Sequence, residues 1–158
     1  MAMRIGDPMP SMEGATTWFN GSLESLEEQI KGKPTLVHFW AVSCGICKTK
    51  MPQLRGIMKK YGELGLQTVA VHMPRYEADT DFDAVNEAMF ENGITEPVAI
   101  DSLHKLKDAF QNEQGWVPVY YLFDAEGKLK TRAAGEFGVS VLQTALDKMF
   151  PSIETASV

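Results

Sequence analysis

Short, almost unbroken apolar runs punctuate the chain. Thr35-Leu36-Val37-His38-Phe39-Trp40-Ala41, Leu66-Gln67-Thr68-Val69-Ala70-Val71-His72 and Val119-Tyr120-Tyr121-Leu122-Phe123 lack the polar alternation of a half-exposed strand. They predict strands buried on both faces, as in a parallel sheet. A shorter run over 97–101 predicts a further strand. Between these runs the apolar period lengthens to that of a helix. Over 22–31, Ser22 can cap, acids fill the first turn, and Leu23, Leu26 and Ile30 share one face. Gly32-Lys33-Pro34 ends that helix.

A second helix is predicted from Cys44 to about Tyr61, kinked at Pro52 because a proline ring removes a backbone donor. Further helices are predicted over 79–92, ending at Gly93, and over 102–111. A terminal helix spans 139–150, with Pro151 ending it and 151–158 a flexible tail. Asp124-Ala125-Glu126-Gly127 reads as a turn into a fifth, antiparallel strand over 128–133. Residues 1–21 are rich in Met, Pro, Gly and Thr and read as an irregular arm with a short edge strand.

Strand, helix, strand, helix, strand, helix, then a hairpin and a helix, is an α/β order. It predicts a mostly parallel sheet with helices on both faces and an antiparallel edge. With 158 residues and no internal repeat or low-complexity linker, a single domain over 1–158 is expected. Composition agrees: 44% hydrophobic and 23% charged residues are ordinary for a globular chain. The net charge of −6 repels phosphate backbones, and no basic stripe with interleaved aromatics is present, so nucleic-acid binding is not expected. No apolar signal-like region follows the N-terminal residues, and no run approaches the ~20 apolar residues of a membrane span. A cytoplasmic monomer, off the membrane, is the expectation.

The chain has two cysteines, Cys44 and Cys47. A disulfide scaffold needs more, spread along the chain, and a closed zinc site usually needs four ligands. Two free core cysteines remain the plainest alternative. The motif, however, lies where a buried strand ends and a helix begins, the edge of an open α/β sheet at which sites form. A helix N-terminus presents free N–H groups and partial positive charge, which stabilise a thiolate. The thiolate is the attacking species in disulfide exchange. Positions i and i+3 share a helix face and bring their Cα atoms within disulfide range. Cys44 at the tip would attack and Cys47, one turn inside, would resolve. Gly45 keeps the approach open.

The run Phe39-Trp40-Ala41-Val42-Ser43-Cys44-Gly45-Ile46-Cys47-Lys48 resembles the active-site signature of thioredoxin-fold proteins. Pro52 resembles their helix kink, and Val117-Pro118 their cis-proline facing the dithiol. The segment between strands 66–72 and 97–101 resembles the insertion of the TlpA/ResA branch. His38-Phe39-Trp40, Val71-His72-Met73-Pro74-Arg75 and Val117-Pro118-Val119-Tyr120-Tyr121 resemble small stand-alone members from bacilli. The resemblance covers about residues 5–150. It implies a thioredoxin-like three-layer α/β/α sandwich with a mixed central sheet and a helix-strand insertion. It also implies a thiol–disulfide oxidoreductase with no cofactor beyond its redox disulfide and no metal. Its partners would be protein disulfides or dithiols and a reducing partner protein. Three positions depart from the pattern. Ser43 replaces a common tryptophan, Ile46 a common proline, and Lys50 the glutamate of cytochrome-maturation members.

Supporting residues follow from the same resemblance. His38 stands where thioredoxins carry a buried aspartate, so it could accept the proton of Cys47; a satisfied core histidine is the alternative. Pro118 and the backbone of Val117 would face the sulfurs and pair with an extended substrate. Trp40 and Trp116 would line the site or lie in the core. Arg75 follows a strand and could border the substrate groove; the expectation is instead a solvated loop arginine. In a reducing cytosol the exchange would run toward reduction of targets, at a potential on the order of −270 mV. One rival is peroxide reduction on the same fold, which needs Ser or Thr where Ala41 stands. The other is a non-catalytic binding module using the groove beside Pro118.

Overall fold

All six residues of strand β2, Thr35–Trp40, are buried, which is what an apolar run in the middle of a covered sheet requires. In the computed structural model, which describes residues 2–150, β2 runs parallel to β3 (Gln67–His72), with Val37 opposite Val69 and Trp40 opposite His72. On its other side β5 (Val119–Phe123) runs antiparallel, with Phe39 opposite Val119 and Thr35 opposite Phe123. Strand β4 (Val98–Ile100) pairs in parallel with β3. Strands β1 (Thr17–Phe19) and β6 (Leu129–Ala134) close the two edges, giving the order β1-β4-β3-β2-β5-β6.

Alternation along each strand sorts side chains onto two helical layers. Leu36, Trp40, Ala70, Ile100, Tyr120 and Leu122 face one core. That core is covered by α2 (Gly45–Gly62), α3 (Phe82–Glu91) and α5 (Gly138–Met149). Val37, Phe39, Val69, Val71, Val119 and Tyr121 face the other. There α1 (Leu23–Ile30) contributes Leu26, and α4 (Lys105–Ala109) contributes Leu106, with Phe110 beyond it. The Phe110 ring packs against Phe39 and Tyr121, with centroids 5.4 and 5.1 Å apart. The α/β/α sandwich with a mixed sheet and an inserted helix is therefore present.

Several local expectations shift. The sheet is less parallel than the buried runs suggest, because β5 enters beside the C-terminal end of β2 and runs back along it. A strand buried on both faces looks the same in sequence whichever way it points. The helix expected from Asp79 begins at Phe82, because the Asp79 carboxylate is taken up by other backbone N–H groups and Asp81 accepts from Asp83 instead. The helix expected over 102–111 shrinks to Lys105–Ala109. His104 takes a left-handed φ of 57°, and Asp101 accepts from the amides of Leu106 and Lys107 at 2.8 and 2.9 Å.

Ser22 caps α1 as expected, its Oγ accepting from Ser25 N–H at 3.1 Å. The arm contains β1 and lies along the sheet's other edge, where the Gly6 amide donates to the Leu129 carbonyl and Leu129 to that of Asp7, each at 2.8 Å. The expected tail over 151–158 lies outside the described residues.

Candidate active site

Strand β2 delivers the chain to the C-terminal edge of the parallel strands, and a tight turn converts it into α2. The Cys44 amide donates to the Ala41 carbonyl at 3.0 Å, and Cys44 becomes the N-cap of α2. Its Sγ accepts the Cys47 amide at 3.0 Å, one of the N–H groups that a helix leaves unpaired at this end. Cys44 and Cys47 form a disulfide across a Cα–Cα distance of 5.3 Å. Both are buried, whereas Ile46 between them is 43% exposed. A Cβ on Gly45 would meet nothing within 4 Å, so approach to the sulfurs is unobstructed there.

The turn before Cys44 is held by residues that follow β3. Val42 N–H donates to His72 Nε2 at 3.2 Å. This bond needs an unprotonated Nε2, and burial, partly opposed by the charge of Asp79, pushes the His72 pKa down to about 4. Ser43 is bound twice to Asp79, through its amide at 2.9 Å and its Oγ at 2.8 Å. The same carboxylate accepts from the amides of Arg75 and Tyr76. Burial alone would raise the Asp79 pKa, but these donors hold it below the ordinary value. The Arg75 guanidinium completes the cluster, donating to Ser43 Oγ at 3.1 and 3.3 Å. Where related signatures carry a tryptophan, Ser43 therefore ties the cysteine turn to the loop beyond β3.

Register brings the proline to the same place. Val119 lies opposite Phe39, so Val117 and Pro118 sit beside the end of β2 and the turn it feeds. The Val117–Pro118 peptide is cis. Val117 borders a groove of about 540 Å³ whose other lining includes Arg75, Tyr76, Lys107 and Trp116.

Trp40 takes the core alternative: it is 1% exposed and its ring packs edge-on against His72. Trp116, 49% exposed, borders the groove. His38 is buried and engaged, its Nε2 lying 2.6 Å from Glu96 Oε2. Arg55 of α2 donates to both Glu96 oxygens at 2.9 Å. Burial would raise the Glu96 pKa, but His38 and then Arg55 hold it down at about 2. His38 is thus one end of a hydrogen-bonded network that Glu96 extends to Arg55.

Asp79 and Glu96 are invisible to sequence reasoning. Each looks like a loop acid, and nothing in the linear pattern links Asp79 to Ser43 or Glu96 to His38. Arg75 is exposed, as expected of a loop arginine, and it borders the groove while donating to Ser43 Oγ. Among the described residues no group of three or more His, Cys, Asp or Glu could hold a metal ion, and no helix is long and apolar enough to cross a membrane.

Comparison with known proteins agrees with this geometry. The Redoxin family model matches residues 4–146. The chain is 42% identical over 152 residues to the thiol–disulfide oxidoreductase YkuV of Bacillus subtilis (strain 168), covering 96% of this chain and 100% of that protein. It is 30% identical over 149 residues to the thiol–disulfide oxidoreductase ResA of Bacillus anthracis, covering 94% and 80%. The solution structure of a thioredoxin-like protein in the oxidised form superposes with a TM-score of 0.81 at 43% identity, covering 92% of this chain and 96% of that one. The chain belongs to the Redoxin family, among its thiol–disulfide oxidoreductases of thioredoxin-like fold.

Proposed function

We propose that the reduced chain cleaves disulfides in partner proteins, with Cys44 as the attacking and Cys47 as the resolving thiol. The carrying observation is the Cys44–Cys47 disulfide at the tip of α2, with the Cys47 amide on Cys44 Sγ. A helix N-terminus that stabilises the disulfide's sulfur by an N–H stabilises a thiolate there more strongly.

The Cys44 thiolate attacks one sulfur of the partner disulfide. That S–S bond breaks, a mixed disulfide forms, and the departing partner thiolate takes up a proton. The Cys47 thiolate then attacks Cys44 Sγ, closing the internal disulfide and releasing the second partner thiol. Two electrons pass to the partner, and a reducing partner protein restores the dithiol. The partner's extended backbone lies along Val117 and Pro118, in the manner of strand addition.

His38 acts through its pair with Glu96, two residues before β4; direct proton transfer from Cys47 is not required of it. The cysteine usage, two residues both in the redox pair, suits a reducing compartment such as the cytoplasm.

Insulin reduction, coupled to equilibration of the dithiol in glutathione or dithiothreitol buffers, tests the reading. Catalysed reduction lost in Cys44→Ala, with a reversible Cys44–Cys47 disulfide, is the expected result. Full activity in Cys44→Ala, or no reversible disulfide, would overturn it. Peroxide consumption without a disulfide substrate would favour the peroxidase reading instead.

A further inference from the structure

The lining of the groove beside Val117 is cationic and aromatic, in a chain whose net charge is −6. Arg75 and Lys107 are among the described residues that border it, and no Asp or Glu is. Neither cation belongs to an ion pair among the described residues.

Arg75 is fixed in place. Its guanidinium donates to Ser43 Oγ, one residue before Cys44, and its Cζ lies 5.4 Å from the centre of the Tyr76 ring. Asp79 is buried, is engaged by Ser43 and by the Arg75 and Tyr76 amides, and does not border the groove. Lys107 also borders the groove, and its Cε would lie 3.3 Å from a Cβ built on Gly115. Beside it the Trp116 loop is pinned, since Asn112 binds both the Trp116 amide and its carbonyl, at 3.2 and 2.9 Å. Tyr76 and Trp116, 64% and 49% exposed, also border the groove.

We infer that this groove selects partner proteins whose reacting cysteine is flanked by acidic side chains in an extended segment. The inference rests on the exchange chemistry proposed above and names its substrate class. Two cations on one groove attract a carboxylate as it approaches, and the attraction acts chiefly on the rate of productive encounter. Both cations border solvent, so salt screens the effect. The rest of the molecule is acidic and repels such a partner. A preference for acidic segments therefore reports the groove and not the overall charge.

Matched peptide disulfides test this. Two acetylated, amidated hexapeptides carry a single cysteine flanked by Glu in one and by Lys in the other, each used as its disulfide-linked dimer. The reduced protein is mixed with each under single-turnover conditions at low ionic strength. Each rate is divided by the rate of the same peptide with dithiothreitol, which removes the effect of neighbouring charge on intrinsic reactivity.

The Glu peptide is expected to react about tenfold faster. The ratio falls below about twofold in high salt and in the Arg75→Gln, Lys107→Gln double variant, whose fold is checked by circular dichroism. Arg75→Lys with native Lys107 keeps the preference. Normalised rates within twofold of each other, a preference for the Lys peptide, or a Glu preference that persists in the double variant would overturn the inference. Reduction of uncharged bis(2-hydroxyethyl) disulfide by the unmodified chain separates the two readings. If it proceeds while the charge ratio is flat, only the selectivity falls. If it does not, the exchange reading falls and the selectivity with it.

Discussion

The Cys47 amide donates to Cys44 Sγ at 3.0 Å, so the two members of the disulfide are also hydrogen-bonded partners at the first turn of α2. In the reduced protein the same donor faces a thiolate. Cys44 is expected to titrate below the ~8.5 of a free thiol and to be alkylated by iodoacetamide at neutral pH well before Cys47. The rate of alkylation against pH, followed by mass spectrometry, measures this. A midpoint at the ordinary value would remove the helix N-terminus as the activating device. Cys47→Ser is expected to accumulate a mixed disulfide through Cys44, whereas Cys44→Ser forms none.

Asp79 accepts from Ser43 N–H, Ser43 Oγ and the amides of Arg75 and Tyr76 while 1% exposed. Removing it takes away the shared partner of those donors, which belong to exposed residues and can turn in part to water. Asp79→Ala is expected to lower stability by about 1–2 kcal/mol, read by urea unfolding, since hydrogen bonds to a charged group are worth ~1.5–3 kcal/mol and water recovers part of that at exposed donors. Asp79→Asn, which keeps an accepting oxygen, is expected to cost less. A loss in Asp79→Ala within ~0.5 kcal/mol of zero would show that the turn before Cys44 holds itself.

Glu96 joins His38 and Arg55 with its side chain 5% exposed. Removing the carboxylate leaves the partly buried Arg55 guanidinium without its counter-charge and buried His38 without its partner, at a cost of about 3 kcal/mol. Glu96→Ala is expected to fall near that value. A double-mutant cycle with His38→Ala is expected to show coupling above ~1 kcal/mol, because the two are in direct contact. Additive effects would mean that the 2.6 Å contact between His38 and Glu96 carries no net stability.

Acid should destabilise the fold in two stages. His72 has its pKa lowered from 6.5 to about 4, chiefly by burial. The folded state therefore favours the neutral ring. The stabilisation is complete above pH 6.5 and is lost as pH falls toward 4. The loss is about 3 kcal/mol, since each tenfold difference in proton affinity between folded and unfolded chains is worth ~1.36 kcal/mol. Glu96, held at about 2 against 4.5, contributes stability above 4.5 that is lost as pH falls from there toward 2. Urea unfolding at a series of pH values measures both. His72→Gln, whose side-chain carbonyl can still accept from Val42, is expected to flatten the upper stage only. An unchanged slope between pH 6.5 and 4 in that variant would assign the proton uptake to another group.

What the linear pattern determined is local. The apolar run over 35–41 had to be a covered strand, Ser22 had to cap, and two cysteines at i and i+3 after that strand had to share a helix tip. These follow from period, from unpaired N–H groups at helix ends and from covalent reach, and none needs a distant partner. The family signature added Pro118. Tertiary structure decided the rest. β5 runs antiparallel to β2, so Val119 meets Phe39 and Val117–Pro118 arrives beside the cysteine turn. Sequence cannot supply this, because a strand buried on both faces carries no mark of its direction. Likewise Ser43 with Asp79, His38 with Glu96, and Arg75 with Lys107 on one groove are separated by 36, 58 and 32 positions. Charge and hydrogen bonding act over a few ångströms of space, and only the folded chain brings those positions within that reach.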